Sequence, residues 1–431
     1  MRKTASVFIA TMMVVLALQL SAYAAPATAF AAPAVVAATA ATATATSEST
    51  VAPTPAEAAT GTAGNGALTA AAEGETFENG RKVSRGAIKI ADLRGTWYEM
   101  GRQYGKLMSA ELNDVRAFVE LVVEASDDNK AKADKVIATQ NAQMTYTLRQ
   151  FFAGAVETSG MTEYELHLCN AVERIAGLPQ CSAAAVWGDY AADTLLMGRN
   201  YDYMENFDML SDDVVVTVYH PADGSLATAT IGYTGEIYAV NAMNEKGIFM
   251  ELNNGTPSAK IKSPDARITG TTALFEVMFE AETLDYLDIF FNTTACSSSY
   301  IINVVDSQSA RSYEWCPTGV KRGDGVLPDG LMVSANHYLN PDWTFEVPTD
   351  DTSWQSITRR QNLIDLCNKE KGSIDAQKMM QIIETPLEDG GAMNPLTVYQ
   401  IVAEPQTMTL WLKVVDASDW TQIDMASFLK G

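Results

Sequence analysis

Histidine is the scarcest chemistry-bearing residue here, with three copies in 431 residues, at positions 167, 220 and 337. A Ser-His-Asp triad needs a histidine base and a zinc helix needs two, yet the chain holds neither a Gly-x-Ser-x-Gly elbow nor a His-Glu-x-x-His run. Those hydrolytic routes and metal catalysis by a histidine cluster are excluded, and no cofactor fingerprint takes their place. Positive charge is short as well: 30 Lys and Arg stand against 53 Asp and Glu, for a formal charge of −23. An acidic surface repels phosphate backbones and anionic lipid, which argues against nucleic-acid partners. Long apolar runs are absent beyond Leu20, so no membrane span is expected.

That first run belongs to a leader. Arg2 and Lys3 precede an apolar stretch from Ala5 to Leu20, and Ser21-Ala22-Tyr23-Ala24 supplies small residues spaced for signal peptidase. The reading is a cleaved export signal over 1–24, with a product starting near Ala25, secreted to the extracellular space or the periplasm. Residues 25–75 are almost all Ala, Thr, Pro, Gly and Ser, a composition that cannot offset its own ordering entropy and is expected to be a disordered linker. The Gly61, Gly64, Gly66 spacing inside it follows no strand and is composition rather than a phosphate loop. Five cysteines, an odd number for an exported chain, allow two disulfides at most; Cys296 and Cys316 flank an expected hairpin and could pair, but spacing does not give connectivity.

Beyond the linker, "GTWYEMGRQYGKLMSAEL" opens a helical region, and a helix over 163–176 is capped by a Thr162/Glu165 box and stopped by Gly177 and Pro179. Cys181 therefore heads a new element, a strand over 182–187 whose hairpin partner returns over 194–203. Further strands are expected over 213–219, 226–233, 237–242 and 248–253. Helix pairs are expected over 271–281 with 284–291, and over 355–369 with 376–384. Hairpins about Ser307-Gln308 and near the C-terminus complete an α+β chain of antiparallel sheets with helices outside.

Cys181 at the head of a strand, followed by Ser182 and three alanines, offers a route that needs no histidine. If the Gln180-Cys181 bond is cut, Cys181 carries its own α-amine, whose pKa of about 7.7 to 8.0 lies close to the roughly 8.5 of a thiol. That amine can accept the thiol proton at neutral pH. The small residues that follow would leave room for amine and substrate.

Several motifs stand in order after it: Gly198-Arg199-Asn200-Tyr201-Asp202, then Asn244-Glu245-Lys246-Gly247-Ile248 leading to Asn253-Asn254, then Ser334-Ala335-Asn336-His337. With Cys181-Ser182 they resemble the signature series of N-terminal-nucleophile hydrolases acting on linear amides, over about residues 90–425. The nearest branches are choloylglycine hydrolase with penicillin V acylase, and the isopenicillin-N acyltransferase-like family. The helical segment before the nucleophile resembles the latter, in which Gly commonly stands where this chain has Gln180. "SWQSITRRQNL" resembles a further family stretch.

The resemblance implies a four-layer αββα sandwich and self-cleavage between Gln180 and Cys181. Residues 76–180 would be a helical pro-region (the α-segment) and 181–431 the β-segment, the two staying associated as one catalytic domain over 76–431. It also implies roles. Arg199 would lower the thiol pKa, Asp202 would hold the new α-ammonium, and Asn254 (or Asn253) with Asn336 would donate to the oxyanion. Arg359 (or Arg360) would meet acids near the site or a substrate carboxylate. The substrate would be a small-molecule linear amide such as an N-acyl amino acid, a bile-salt amide or a penicillin-type amide, with no cofactor and no metal. Hydrolysis is favoured over acyl transfer where acyl-CoA is scarce.

Simpler readings stand beside these. Arg199 and Asp202 fall on opposite faces of a regular strand, Asn253-Asn254-Gly255 reads as a turn, and Trp187, Tyr201, Tyr203 and Phe207 read as core. Two other functions also remain: an exported binding or surface protein that keeps the fold uncut, and a cysteine aminopeptidase or dipeptidase. Oligomeric state is not specified.

Overall fold

Thr96 ends a strand and starts a helix within one residue: its hydroxyl accepts from the Glu99 N–H while the Glu99 carboxylate accepts from the Thr96 N–H, a complete capping box. The strand before it was not expected. In the computed structural model, which describes residues 74–176, 180–204, 207–256, 258, 268–323, 325–344, 351 and 354–431, the chain begins with β1 (Glu75–Phe77), β2 (Gly80–Arg85) and β3 (Ile88–Gly95). A wholly helical pro-region is corrected accordingly. The expected leader, nearly all of the linker and the 177–179 helix stop lie outside the described residues, and those described fall in one compact unit.

Six helices follow among the described residues: α1 (Trp97–Leu107), α2 (Ser109–Glu124), α3 (Asp127–Gln143), α4 (Tyr146–Ser159), α5 (Glu163–Cys169) and α6 (Val172–Ala176). Thr162 and Glu165 form the expected box. The single helix expected over 163–176 is interrupted at Asn170, whose side-chain oxygen accepts the backbone N–H of Ile237 at 2.8 Å.

From Gln180 the chain becomes mostly strand: β4 (Gln180–Val186), β5 (Leu196–Asp202), β6 (Val214–Pro221), β7 (Thr228–Tyr233), β8 (Asn241–Asn244) and β9 (Phe249–Asn254). The strand expected over 237–242 starts later, at Asn241, because the N–H groups of Ile237 and Ala239 bond to Asn170 Oδ1 and Thr271 O rather than to a ladder. Helices α7 (Gly270–Met278) and α8 (Leu284–Thr293) lead to β10 (Tyr300–Val305), β11 (Ala310–Cys316), β12 (Gly319–Arg322), β13 (Val326–Leu327) and β14 (Leu331–Ser334). Helices α9 (Ser356–Lys369) and α10 (Ala376–Glu384), strands β15 (Thr397–Glu404), β16 (Thr409–Val414) and β17 (Thr421–Asp424), and α11 (Ala426–Leu429) close the chain.

The strands assemble into two sheets, ordered β1-β2-β3-β6-β7-β8-β9-β10-β11-β12 and β13-β14-β4-β5-β15-β16-β17. Every pairing is antiparallel except β3 with β6, where the segment before Cys181 joins the segment after it. Helices α1, α7 and α8 cover the first sheet, α9 and α10 cover the second, and β4 faces β9 between them. This is the αββα layering implied by the resemblance.

Residue size follows position on β4. Ala184 and Val186 turn outward into a core with Leu363, Cys367 and Met379, while Cys181 and Ala183, on the other parity, turn toward the first sheet. Gly198 on β5 admits α10, since a Cβ there would meet Met379 Sδ at 2.7 Å. No helix of the described residues is long and apolar enough to cross a membrane. None of the five cysteines is in a disulfide, so the pairing open to Cys296 and Cys316 does not form; Cys296 Sγ lies 2.8 Å from Ser298 O and Cys316 Sγ lies 3.1 Å from Thr318 Oγ1.

Candidate active site

Three side chains from three elements converge on Cys181. Its pairing partner across β4–β5 is Tyr201, which puts Arg199 opposite Ala183 and on the same face as the sulfur. Arg199 Nη2 donates to Cys181 Sγ at 3.1 Å. Its other Nη hydrogens go to Leu252 O (2.7 Å), Val240 O (2.7 Å) and Asn241 Oδ1, which hold the guanidinium in place, while its buried Nε has no hydrogen-bond partner among the described residues, and the group lies over the Tyr201 ring.

The backbone of Cys181 is held as firmly as its sulfur. Its N–H donates to Asn336 Oδ1 at 3.1 Å and its carbonyl accepts from Arg359 Nη1 at 2.8 Å. Arg359 Nη2 also donates to Asn336 Oδ1, at 2.6 Å. A guanidinium has only donors, so the amide atom of Asn336 facing it must be the oxygen, and that fixes the amide's orientation. One Asn336 Nδ2 hydrogen then goes to Asn254 O at 3.0 Å. The side chain therefore presents its acceptor to the Cys181 nitrogen, with one of its two Nδ2 hydrogens engaged by Asn254 O.

Arg359 owes its aim to the start of α9. Trp354 (φ 56°) and Gln355 (φ 53°) are consecutive left-handed residues, and Arg359 Nε donates to Trp354 O at 3.0 Å. Ser356 Oγ accepts the Asn336 backbone N–H at 2.7 Å and lies 2.7 Å from His337 Nδ1. Burial pushes His337 down to about 4, which keeps the ring neutral.

Asp202 lies on the other parity of β5, opposite Gln180 and away from the face that carries the Cys181 sulfur. Its carboxylate takes Thr397 Oγ1 (2.6 Å), Asn394 Nδ2 (2.8 Å) and the Arg359 guanidinium at 3.6 Å. The register shift in β15 between Thr397 and Tyr399 brings that threonine to it. Burial pushes Asp202 above the usual carboxylate range, and Arg359 with its hydrogen-bond donors pulls it back.

The two pairs of alternatives left by the sequence occupy different places. Asn253 Nδ2 donates to Ser334 Oγ at 2.9 Å, whereas Asn254, its Oδ1 occupied by Thr256, keeps a buried Nδ2 with no hydrogen-bond partner in the structure. Arg360 Nε donates to Val333 O, away from the cysteine. Cys181 itself is fully buried; burial, and then the Asp202 and Glu251 carboxylates, push its thiol up to about 12, against the pull of Arg199. In the uncut chain the sulfur is a neutral thiol.

Sequence reasoning missed the polar groups behind Arg199. Asn241, Glu251 and Asn303 sit on apolar strands with no local motif to mark them. Among the described residues no group of His, Cys, Asp and Glu is placed to hold a metal ion.

No protein-family model matches the chain, and no curated protein does. Among solved structures it is similar to a Caenorhabditis elegans N-acylethanolamine-hydrolyzing acid amidase ortholog, at 14% identity over 57% of this chain and 99% of that one, with TM-score 0.39. It is similar to a variant of the conjugated bile acid hydrolase of Clostridium perfringens at 12% identity over 57% and 93% of the two chains, with TM-score 0.40. A third is the penicillin V acylase of Agrobacterium tumefaciens, at 10% identity over 57% and 86%, with TM-score 0.39.

Proposed function

We propose that this chain is an exported amide hydrolase of the N-terminal-nucleophile type that makes its own nucleophile at Cys181. In the first stage the Cys181 thiol adds to the Gln180 carbonyl and the Gln180-Cys181 C–N bond breaks. The thiol proton passes to the departing nitrogen, and the Gln180 acyl group moves to sulfur as a thioester. Water hydrolyses that thioester, leaving a Gln180 carboxylate and a Cys181 that carries both thiol and α-amine.

In the second stage the amine takes the thiol proton, with Asn336 Oδ1 already placed to accept a hydrogen bond from that nitrogen and Arg359 holding Asn336 in register. Arg199 stabilises the thiolate as it forms. The sulfur attacks a linear amide, and the unpartnered Asn254 Nδ2 is the donor available to the oxyanion, a contribution of about 3 kcal/mol for donors of this kind. The α-ammonium returns its proton to the leaving amine, and water resolves the thioester. Asp202 neutralises Arg359 and lines the new terminus. Substrates of the class are N-acyl amino acids, bile-salt amides and penicillin-type amides, with hydrolysis the outcome rather than transfer.

One observation carries this reading: a single cysteine at a strand start has a guanidinium on its sulfur and an oriented amide oxygen on its nitrogen. The test is amine release from a panel of N-acyl amides and dipeptides by the full chain and by Cys181→Ala. Turnover of N-acyl amides by the first alone is expected. Turnover confined to dipeptides assigns an aminopeptidase instead, and none in either protein favours an uncut binding protein.

A further inference from the structure

The site holds two buried guanidiniums and two buried carboxylates, and only one of those carboxylates has a part in the chemistry above. Arg359 is paired with Asp202. Arg199 is paired with Glu251 on β9, whose Oε2 lies 3.4 Å from Arg199 Nη1 and has no hydrogen-bond partner in the structure. The other nitrogen of the same guanidinium touches Cys181 Sγ. One cation therefore stands between two groups that can each be its anion.

We propose that Glu251 is the counter-ion that limits how far Arg199 stabilises the Cys181 thiolate, and that it thereby sets the lower edge of the pH range in which the enzyme works. The inference rests on the reading of Cys181 as nucleophile and makes Glu251 a positioning residue acting through Arg199. With a neutral thiol, two cations and two anions cancel inside a site that excludes water. Forming the thiolate adds a third anion near Glu251, and in a low-dielectric interior two anions competing for one cation raise each other's cost.

The groups around Glu251 bear this out by element. β5 brings Arg199, and Asp202 farther along at the strand end; β4 brings Cys181. β10 brings Asn303, whose Nδ2 donates to Glu251 Oε1 and lies 2.5 Å from Ser334 Oγ of β14. β15 brings Tyr399, hydrogen-bonded to Asn241 and close enough to feel both Arg199 and Cys181. Arg199 is thus the one cation facing Glu251 among these groups. Burial raises the Glu251 pKa, while Arg199 and Asn303 oppose the rise.

The experiment is the pH profile of kcat/KM for an N-acyl amide, measured on the full wild-type chain, Glu251→Gln and Asn303→Ala, with fragment pattern and thermal melt recorded for each. Glu251→Gln keeps the shape and removes the charge; its acidic limb is expected to move down by about one pH unit. Asn303→Ala, which withdraws the donor that favours the Glu251 anion, is expected to move the limb the same way by less. A processed, folded Glu251→Gln protein with an unmoved or raised acidic limb overturns the proposal. If that variant does not fold, an unmoved limb in folded Asn303→Ala does so. Absence of both scission and turnover in the wild type overturns the reading of Cys181 itself, and this inference with it.

Discussion

At the scale of the residue, Arg359 is the side chain on which the site's order depends most. It is fully buried and binds Cys181 O, Asn336 Oδ1 and Asp202 at once. Arg359→Leu leaves Asp202 as a buried anion without its cation, a loss of about 3–5 kcal/mol that urea unfolding would read as a lowered midpoint at unchanged slope. Arg199→Leu acts on chemistry as well: without the guanidinium the thiolate has no cation, and kcat/KM is expected to fall by roughly a hundredfold or more, measured beside Arg199→Lys, which keeps the charge but not the fork.

Which residues meet was partly legible at this scale. Cys181, Arg199, Asp202, Asn254, Asn336 and Arg359 lie in one cluster because their strands and helix do what the hydrophobic pattern suggested. The choice of Arg359 over Arg360 was not legible, since it turns on two left-handed residues, Trp354 and Gln355, that are neither glycine nor asparagine. Glu251 was hidden for a different reason. A glutamate in "FMELNN" reads as a solvated position until the β9–β10 and β4–β9 packing encloses it.

At the scale of the element, α1 and α4 cross through glycine. A Cβ at Gly101 would meet Phe151 O at 2.0 Å, one at Gly105 would meet Ala155 O at 2.4 Å, and one at Gly154 would meet Tyr98 O at 2.1 Å. These partners are backbone and cannot swing aside. Gly101→Ala is therefore expected to force the helices apart, at a cost of about 1–3 kcal/mol or more, seen as a lowered denaturation midpoint. Thr162→Ala, which only removes a cap from the seven-residue α5, is the milder comparison at about 1 kcal/mol.

Helices were the better-read elements, because capping boxes and apolar spacing are local. β1, β2 and β3 escaped notice because charged residues interrupt their apolar pattern, including Asp92 of β3, which is buried. What makes β3 a strand is a parallel partner, β6, far along the chain.

At the scale of the whole molecule, the segments before and after Cys181 share a sheet through β3 and β6 and share a core in which the Trp97 and Phe151 rings pack on Tyr219 of β6. Scission at Gln180-Cys181 is expected to leave fragments that co-elute in native buffer and separate only in denaturant, measured by size exclusion with and without urea. Stability should also carry a pH signature. Burial pushes Asp213 up to about 7 and raises Glu173 and Glu236. A carboxyl whose pKa is raised on folding binds its proton more tightly in the native state. Its contribution is therefore complete below the ordinary carboxylate range and is lost as pH climbs through the folded value. Asp213 should therefore draw the melting temperature down as pH rises from about 4 to about 7, opposite in sign to the buried neutral His337, and the wild type should lose more stability over that range than Asp213→Asn does.

The central claim is that the chain cuts itself in front of Cys181, and intact-mass spectrometry with N-terminal sequencing of the purified protein tests it most directly. The account predicts two fragments, the larger beginning Cys-Ser-Ala-Ala-Ala, and one uncut chain for Cys181→Ala. A wild-type chain that stays whole while hydrolysing amides at full rate would contradict it.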